Sequence, residues 1–369
     1  MKRILLFGAI LLGLTACGEQ ATTIDLYAYK DHEIDYFSLI DTASYRVVKL
    51  ETTENSLVGE ISKVEVVGDQ IIVLHGSDSK SVFVFDLDGR FIRPIGHQGR
   101  GPGEYVRAAN FVIDYDANQI IVTDDRGHKQ LFYDLSDGRF VKEYQMISRP
   151  MAYIDGRYFF QSIPMDTPEH YEVVEVDTAN QIIGGYYPRE KFVEKSDAGY
   201  SGNFRFYQHG RDFYFIPLYT DELYLLTNDG IELKHRFGFG DRAADYDGAL
   251  TFFDVTTSDY KFHHITDFAI TDDLNYYFEV GYGKDASFIV YGNLNSGRVE
   301  ATTTTLFFKN PSVTPKILLS MGIIGSYRDQ FINVFSSPYL LKERLPELFG
   351  DATENDNPCL IFFKVKNLD

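Results

Sequence analysis

The sequence has no tryptophan, only two cysteines and fewer basic than acidic residues, and each shortage excludes a class of protein. Its 369 residues contain 35 Lys and Arg against 54 Asp and Glu, a formal net charge of -19. A chain this acidic repels the phosphate backbone, which argues against nucleic acid as a partner. Two cysteines cannot supply a disulfide framework. Because tryptophan is absent, the sequence signatures of WD40 and kelch repeats are excluded.

Long hydrophobic runs are also missing, except at the N-terminus, where the chain starts as exported proteins do. Lys2 and Arg3 precede an apolar stretch, residues 4–14. This stretch is shorter than the roughly 20 residues of a membrane-spanning helix and is typical of a signal peptide. Leu14-Thr15-Ala16-Cys17 follows and resembles the lipobox of bacterial lipoproteins. The resemblance predicts cleavage before Cys17 and a lipid on that residue; an ordinary secretory signal with an incidental cysteine is the alternative.

These features divide the chain into three parts. We expect a signal peptide at residues 1–16, a tether at 17–41 and a folded domain at 42–369. The expected location is the cell envelope, anchored to the outer membrane and facing either the periplasm or the surface. The lipid on Cys17 makes the membrane the first partner. Cys359 then has no cysteine to pair with, and its place in an alternating apolar segment predicts a buried, inert thiol.

The chain is rich in aromatic residues, 26 Tyr and 30 Phe, and it repeats a strand–turn–strand unit. Residues 82–92 and 130–141 each carry two strands around an Asp-Gly pair, which tight hairpins favour because glycine accepts a positive φ. Similar strands precede both units, at residues 70–74 and 119–123. Weaker copies follow farther along the chain. Short strands at this period predict the blades of a β-propeller.

The repeats predict an all-β fold with six four-stranded blades. The expected blades are 61–95, 108–145, 151–187, 204–239, 265–308 and a sixth from about residue 318, with its third strand at 359–366. The sixth blade lacks a fourth strand, and residues 45–50 are the strand expected to complete it and close the ring. An insertion near residues 337–350 is predicted to be helical, beginning at Pro338 and ending before Pro346.

Three segments carry a resemblance to a known family. They are Gly96-His97-Gln98-Gly99-Arg100-Gly101-Pro102-Gly103-Glu104-Tyr105, the strands around the turn in 83–91, and residues 357–364. The strand units resemble NHL-type blades, and the whole chain is similar to six-bladed β-propeller lipoproteins of Bacteroidetes. The resemblance implies a fold and an export route, with no general activity to carry over.

Several segments resemble reactive motifs but lack a required residue. Residues 99–104 lack the Gly-Lys-Ser/Thr end of a P-loop, and residues 32–36 end in Tyr where a zinc protease motif needs His. Residues 114–118 begin like a calcium loop, but Gln119 takes the place of its glycine. The adjacent pair His263-His264 points to opposite faces of an extended strand. We therefore predict no metal site, no catalytic residue and no cofactor.

The remaining candidates are loop residues that a propeller gathers around one mouth of its channel. Connections between blades share that face with the loops joining second and third strands, which places there Arg100, Glu104, Tyr105, Arg126, His128, Tyr219, Tyr282 and Lys284. We expect a non-catalytic module that binds a carbohydrate, a peptide or an envelope protein. The alternative is a metal-assisted lyase or lactonase that uses the same mouth, because the fold alone does not decide function.

Overall fold

The computed structural model is an all-β propeller with almost no helix. It describes residues 24–76, 80–145, 151–161, 171–188, 206–217, 220–239, 264–281, 287–304 and 322–368. These residues form six four-stranded antiparallel sheets, the blades of the propeller, so the predicted fold class is confirmed. In the described part of the chain, no helix combines the length and the apolar character needed to cross a membrane.

The strands follow one another around the ring. The outermost strand of the last blade comes first in the chain and is β1 (Ile40–Lys49). Blade one contains β2 (Ile61–Val67), β3 (Gln70–His75), β4 (Val82–Asp86) and β5 (Phe91–Ile95). The short strands β6 (His97–Gln98) and β7 (Glu104–Tyr105) form the crossing to blade two. Blade two contains β8 (Ala108–Asp114), β9 (Gln119–Asp124), β10 (Lys129–Asp134) and β11 (Phe140–Gln145).

The other four blades repeat this order. Blade three contains β12 (Ala152–Ile154), β13 (Arg157–Gln161), β14 (Tyr171–Val176) and β15 (Ile182–Pro188). Blade four contains β16 (Phe206–His209), β17 (Asp212–Phe215), β18 (Glu222–Thr227) and β19 (Gly230–Arg236). Blade five contains β20 (His264–Ile270), β21 (Asn275–Gly281), β22 (Phe288–Asn293) and β23 (Val299–Thr303). Blade six contains β24 (Ile323–Tyr327), β25 (Gln330–Phe335), β26 (Cys359–Val365) and β1.

The ring closes as the sequence predicts, through the N-terminal strand. β1 pairs antiparallel with β26, with Val47 opposite Ile361 and Lys49 opposite Cys359. The pairing begins at Ile40, five residues earlier than expected. It covers the edge of β26, and Cys359 is fully buried there, as predicted. Both ends of the chain therefore stabilise the same blade.

The hairpin turns explain the repeated Asp-Gly pairs. Gly89 and Gly138 have φ angles of +87° and +76°, a backbone conformation that other side chains rarely adopt. In the first turn Asp86 Oδ1 accepts hydrogen bonds from the backbone N–H of Asp88 and of Arg90, 2.9 and 2.8 Å away. Aspartate and glycine together thus fix the turn and the register of the two strands that it joins.

The hydrophobic core lies between neighbouring blades, which explains why the strands carry so many aromatic residues. Central strands such as β3 and β9 are buried on both faces, because a blade packs against a neighbour on each side. Phe111, Phe132 and Phe237 are fully buried in these interfaces. Large flat rings fill the wedge that widens between two twisted sheets, and each buries a large apolar area.

Residues 24–39 form an N-terminal strap that packs along the outside of blade five. The strap contains a 3₁₀ turn, Leu26–Tyr29, and one short helix, α1 (Tyr36–Leu39). Leu26 is 1% exposed and packs in the core between blades four and five. Tyr29 Oη donates to the Val299 carbonyl at 3.2 Å, and Thr302 Oγ1 donates to the His32 carbonyl at 2.7 Å. Most of the segment expected to be a tether is therefore part of the folded structure.

The insertion in blade six contains two short helical segments. A 3₁₀ turn, Pro338–Leu341, is followed by α2 (Pro346–Phe349). Pro346, expected to end the first helix, instead begins the second, where a missing N–H costs nothing. Asn357 fastens the end of the insertion to the crossing between blades six and one: its side chain accepts from Val58 N at 2.8 Å and donates to the Ser56 carbonyl.

Candidate functional site

The two faces of the ring differ in the kind of connection that they carry. One face, called the loop face below, bears the crossings between blades and the loops joining second and third strands. The hairpin face is the other side and bears the tight turns between first and second and between third and fourth strands. The first strand of every blade runs from the loop face to the hairpin face and lines the central channel.

The channel contains a chamber of about 350 Å³. This volume lies at the low end of the roughly 300–1,000 Å³ common for small-molecule pockets. Its walls combine charged, amide and aromatic side chains from the innermost strands of blades one, two, four, five and six. These side chains include Lys63, Glu65, Asn110, Gln208, His209, Phe206, Tyr207, Asp267, Phe268 and Ser326. None of these residues belongs to the set predicted from the sequence.

Blade four closes the chamber toward the hairpin face. The side-chain amide of Gln208 reaches across to β8: Ile113 N donates to its Oε1 at 3.1 Å, and its Nε2 donates to the Ile113 carbonyl at 2.9 Å. The neighbouring His209 reaches the other way, to Ser326 on β24, with 2.8 Å between Nδ1 and Oγ. These contacts tie blade four to blades two and six, so the channel ends in a floor and is not an open pore.

A buried pair of opposite charges occupies one wall. Lys63 and Glu65 alternate on β2 and point into the channel, with 3.5 Å between Nζ and Oε1. Lys63 Nζ also donates to the Phe111 carbonyl at 2.9 Å and lies over the Phe111 ring. Burial raises the pKa of Glu65 to about 7 and lowers the pKa of Lys63, and their mutual attraction opposes both shifts. Near neutral pH, Glu65 therefore can both donate and accept a hydrogen bond.

A second wall contains a side-chain amide whose N–H group has no hydrogen-bond acceptor in the described structure. Asn110 on β8 lines the chamber, and its Nδ2 is buried without a hydrogen-bond partner in the described structure. A buried N–H of this kind costs free energy until something accepts its proton. Phe206, Tyr207 and Phe268 provide apolar surface on the walls of blades four and five. The chamber thus combines free hydrogen-bonding capacity with aromatic surface.

The floor includes a serine, a histidine and an aspartate joined by hydrogen bonds. His209 Nε2 lies 2.8 Å from Asp272 Oδ1, and its Nδ1 lies 2.8 Å from Ser326 Oγ. Ser326 Oγ, however, donates its proton to the Ile270 carbonyl at 2.5 Å, so the serine accepts from His209. A nucleophilic serine needs the opposite arrangement, with its proton directed at a histidine that can take it. The three residues therefore hold blades four, five and six together.

The crossing between blades one and two contains three of the predicted site residues, and most of its polar groups bind the loop itself. Tyr105 is 1% exposed, with its hydroxyl donating to the Ile95 carbonyl at 3.0 Å, so it is a core residue that a ligand cannot reach. Glu104 Oε2 accepts from Gly101 N at 2.8 Å. Arg100 is exposed.

The glycines of the crossing serve two different purposes. Of Gly99, Gly101 and Gly103, only Gly103 has a positive φ, at +72°. At Gly99 a Cβ would lie 2.0 Å from Glu104 Oε2, so a side chain there would displace the Glu104 carboxylate from its hydrogen bond with Gly101 N. At Gly103 a Cβ would lie 2.7 Å from the ring of Phe140. This motif therefore encodes a tightly packed connection.

The turn between β9 and β10 lies beside the crossing on the loop face. Asp124, 1% exposed, accepts from the backbone N–H groups of Val106, Arg107, Arg126 and Gly127. One carboxylate therefore fixes both the turn and the end of the crossing. The structure brings the exposed side chains of Arg126 and His128 to the same face as Arg100. Tyr219, Tyr282, Lys284 and Cys17 lie outside the described residues.

The sequence contains a signal for some of the chamber residues, although the prediction of the site did not use it. From Lys63 onward, the segment Lys63-Val64-Glu65-Val66 alternates polar with apolar residues, as a strand with one hydrated face does. In a first strand that hydrated face is the channel, so the alternation marks Lys63 and Glu65 as lining residues. No such signal marks Gln208 or His209. Among the residues that the structure describes, no three His, Cys, Asp or Glu side chains converge to hold a metal ion.

Comparison with known proteins identifies the family and supports the fold. The crystal structure of a Bacteroides fragilis protein that is named as exported superposes with a TM-score of 0.69 at 20% identity, covering 89% of this chain and 97% of its own. A Bacteroides vulgatus member of the DUF4221 family superposes with a TM-score of 0.55 at 13% identity, covering 89% and 99%. No curated protein sequence matches. The family described as "Domain of unknown function (DUF4934)" matches residues 21–364, and the chain belongs to it.

Proposed function

We propose that the protein is an exported, lipid-anchored binding module that holds a small polyhydroxylated ligand, such as a mono- or disaccharide, in its channel chamber. One observation carries the proposal. The chamber is closed at one end and lined by charged and amide side chains, and on its wall the buried Asn110 Nδ2 has no hydrogen-bond partner among the described residues. A satisfied channel wall would have no such group, because buried polar atoms almost always find partners within the protein.

The chemistry of the walls favours hydroxyl groups as the feature recognised. Lys63 Nζ and Asn110 Nδ2 donate, while Glu65 accepts or donates according to its proton. A sugar hydroxyl both donates and accepts, so it suits all three. The aromatic rings of Phe206 and Phe268 supply apolar surface for the carbon skeleton. Since the wall charges include both signs, a neutral or singly anionic ligand fits better than a polyanion.

The exposed cations of the loop face extend the site outward. Arg100, Arg126 and His128 stand on the face where the chamber opens. We propose that they contact the part of a longer or anionic ligand that projects from the chamber. The lipid on Cys17 would hold the module at the membrane of the cell envelope. The relative from Bacteroides fragilis that is named as exported supports export of this chain too.

A binding screen with one matched pair of variants tests the proposal. Purified protein lacking residues 1–17 is titrated by calorimetry with neutral monosaccharides, disaccharides and uronic acids. Asn110→Leu replaces the amide by an apolar group of similar size, and we expect at least a tenfold loss of affinity, about 1.4 kcal/mol. Asn295→Leu makes the same replacement at an exposed position on the hairpin face and should stay within about twofold of wild type.

Two outcomes would overturn the binding proposal. One is the failure of every sugar to bind. The other is equal affinity in Asn110→Leu and wild type, which would place the ligand elsewhere. The same panel with lactones, in the presence and absence of a chelator, tests the lyase or lactonase alternative. Turnover that disappears with the chelator would make an enzyme the better description.

A further inference from the structure

We propose that the chamber binds acidic sugars, such as uronic acids, and that Lys63 on its wall contacts their carboxylate group. The proposal rests on the proposed function and narrows it to one class of sugar in the same chamber. Three features of the wall carry it: the partners of the Lys63 ammonium group, the donor that Asn110 adds on the next blade, and the ability of Glu65 to lose its negative charge.

The ammonium group of Lys63 is held more closely by a backbone carbonyl than by the neighbouring acid. Its Nζ donates to the Phe111 carbonyl at 2.9 Å and lies 5.1 Å from the centroid of the Phe111 ring. Glu65 Oε1 lies 3.5 Å from the same nitrogen, beyond the roughly 2.7–2.9 Å of a charge-assisted hydrogen bond. An ammonium group has three protons to donate. Lys63 therefore keeps donor capacity that an acceptor in the chamber can use.

Asn110 adds a second donor at the equivalent point of the next blade. Lys63 on β2 and Asn110 on β8 are each the first residue to pair after a register shift near the start of the strand, and both line the chamber. Phe111, whose carbonyl binds Lys63, directly follows Asn110. The buried Asn110 Nδ2 has no acceptor among the described residues. A cation and a neutral N–H group on neighbouring blades suit the two oxygens of a carboxylate.

Glu65 is the acid with which an incoming carboxylate competes for Lys63. Its side chain is 7% exposed, and burial raises its pKa to about 7 against the attraction of Lys63. Below about pH 7, Glu65 therefore holds a proton, and the pair carries the positive charge of Lys63 alone. A sugar carboxylate then supplies the missing negative charge and opposes the lowering of the Lys63 pKa by burial. The protonated Glu65 can donate to a hydroxyl group of the same sugar.

The other described charges around the pair nearly balance one another. The titratable groups that face it from the surrounding elements are Lys80 before β4, Tyr115 after β8, His209 and Arg211 at the turn between β16 and β17, Asp267 on β20, and Tyr327 on β24. Lys80 and Asp267 carry one charge each, of opposite sign. His209 and Arg211 each pair with an aspartate of a hairpin turn. The net charge of the described chamber wall therefore follows the Lys63–Glu65 pair.

Matched acids and amides test the proposal by calorimetry on the purified protein. Glucuronate and galacturonate are compared with glucuronamide and galacturonamide, in which a neutral amide of the same shape replaces the carboxylate. At pH 6 we expect the better-bound acid to bind about tenfold tighter than its amide, or more, because a hydrogen bond to a charged group is the stronger one. At pH 8 this preference should shrink severalfold, since Glu65 is then ionised and competes for Lys63.

Three variants assign the preference to the pair. Lys63→Met keeps an apolar stem and removes the charge, so the acid and its amide should bind alike. Lys234→Met makes the same change at an exposed lysine of β19 and should keep the wild-type preference. Glu65→Gln removes the competing charge, so the preference for the acid should stay high at both pH values. If Lys63→Met does not fold, as judged from its thermal melting, Glu65→Gln decides alone.

The outcomes separate this proposal from the proposed function. Equal affinity of the wild-type protein for acid and amide overturns the proposal, as does a preference that survives in Lys63→Met or a pH dependence that survives in Glu65→Gln. Neutral sugars that bind while neither acid binds also overturn it, but they leave the proposed function standing. If no acid, amide or neutral sugar binds, the proposed function fails as well.

Discussion

The crossing between blades one and two and the chamber in the channel are both rich in polar residues, but they use them in opposite ways. In the crossing, Asp124 and Glu104 accept hydrogen bonds from the loop's own backbone. In the chamber, Asn110 Nδ2 has no hydrogen-bond partner among the described residues, and Lys63 and Glu65 line the open volume. The first arrangement stabilises the connection, and the second leaves free energy available for a ligand. Predictions that separate stability from binding therefore test this difference.

The largest expected effect is on the stability of the crossing. Gly103→Ala combines a positive φ with a Cβ that would lie 2.7 Å from the Phe140 ring, so we expect the free energy of unfolding to fall by about 3–4 kcal/mol. Gly68→Ala is the matched control, because Gly68 has a φ of +58° but nothing within 4 Å of the added carbon. It should lose only about 1 kcal/mol. Similar losses in both, measured by urea denaturation, would mean that packing in the crossing matters little.

Asp124→Ala should be the next most damaging change. It leaves four backbone N–H groups without their acceptor, and we expect a loss of about 2–3 kcal/mol in denaturant unfolding. The control Asp116→Ala removes an exposed carboxylate that, among the described residues, pairs with Arg211 at the surface. Surface pairs of this kind contribute about 0–1 kcal/mol. If Asp124→Ala retained wild-type stability, the hydrogen bonds of Asp124 would not stabilise the crossing. The contrast between the crossing and the chamber would then be lost.

The buried carboxyl group of Glu65 in the chamber should make the stability of the protein depend on pH. The folded state raises the pKa of Glu65 from 4.5 to about 7, so between these values the folded protein keeps a proton that the unfolded chain releases. This group therefore favours folding below about pH 4.5, and its contribution is lost as the pH rises through about 7. We expect Glu65→Gln to gain roughly 2 kcal/mol relative to wild type between pH 5 and pH 8. A pH-independent difference between the two proteins would show that Glu65 is ionised and solvated.

The smallest effect on stability is expected at the loop-face cations. Arg100→Ala combined with Arg126→Ala changes exposed side chains, so the free energy of unfolding should move by less than about 0.5 kcal/mol. Affinity for a neutral sugar in the chamber should be unchanged, while affinity for an anionic oligosaccharide should fall severalfold at low ionic strength. A large loss of stability would place these arginines with the structural residues of the crossing.

The sequence predicts the fold better than the site because the two are encoded differently. Turn glycines such as Gly89 and Gly138, and alternating apolar strands, recur at a fixed period, so six blades and their closure by β1 follow from local patterns. The chamber is lined by short stretches of five separate strands, β2, β8, β16, β20 and β24. Gln208 and Ile113 are 95 residues apart in sequence, and no local sequence pattern predicts their contact.

The conspicuous glycine-rich motif of the crossing has a structural explanation. Gly99 and Gly103 stand out in the sequence, and a Cβ at these positions would meet the Glu104 carboxylate and the Phe140 ring. The motif therefore describes how the chain passes from one blade to the next. Tyr105 belongs to the same segment and is buried for the same purpose. Arg100 and Arg126 remain predicted ligand contacts, since their exposure on the loop face is compatible with that role.

A crystal structure of the protein with the tightest-binding sugar tests the central claim most directly. The account predicts electron density for the sugar inside the chamber, with hydroxyl groups within hydrogen-bonding distance of Asn110 Nδ2, Lys63 Nζ and the Glu65 carboxyl group. It also predicts that the floor made by Gln208 and His209 stays closed. Density at the crossing between blades one and two, with an empty chamber, would contradict the account.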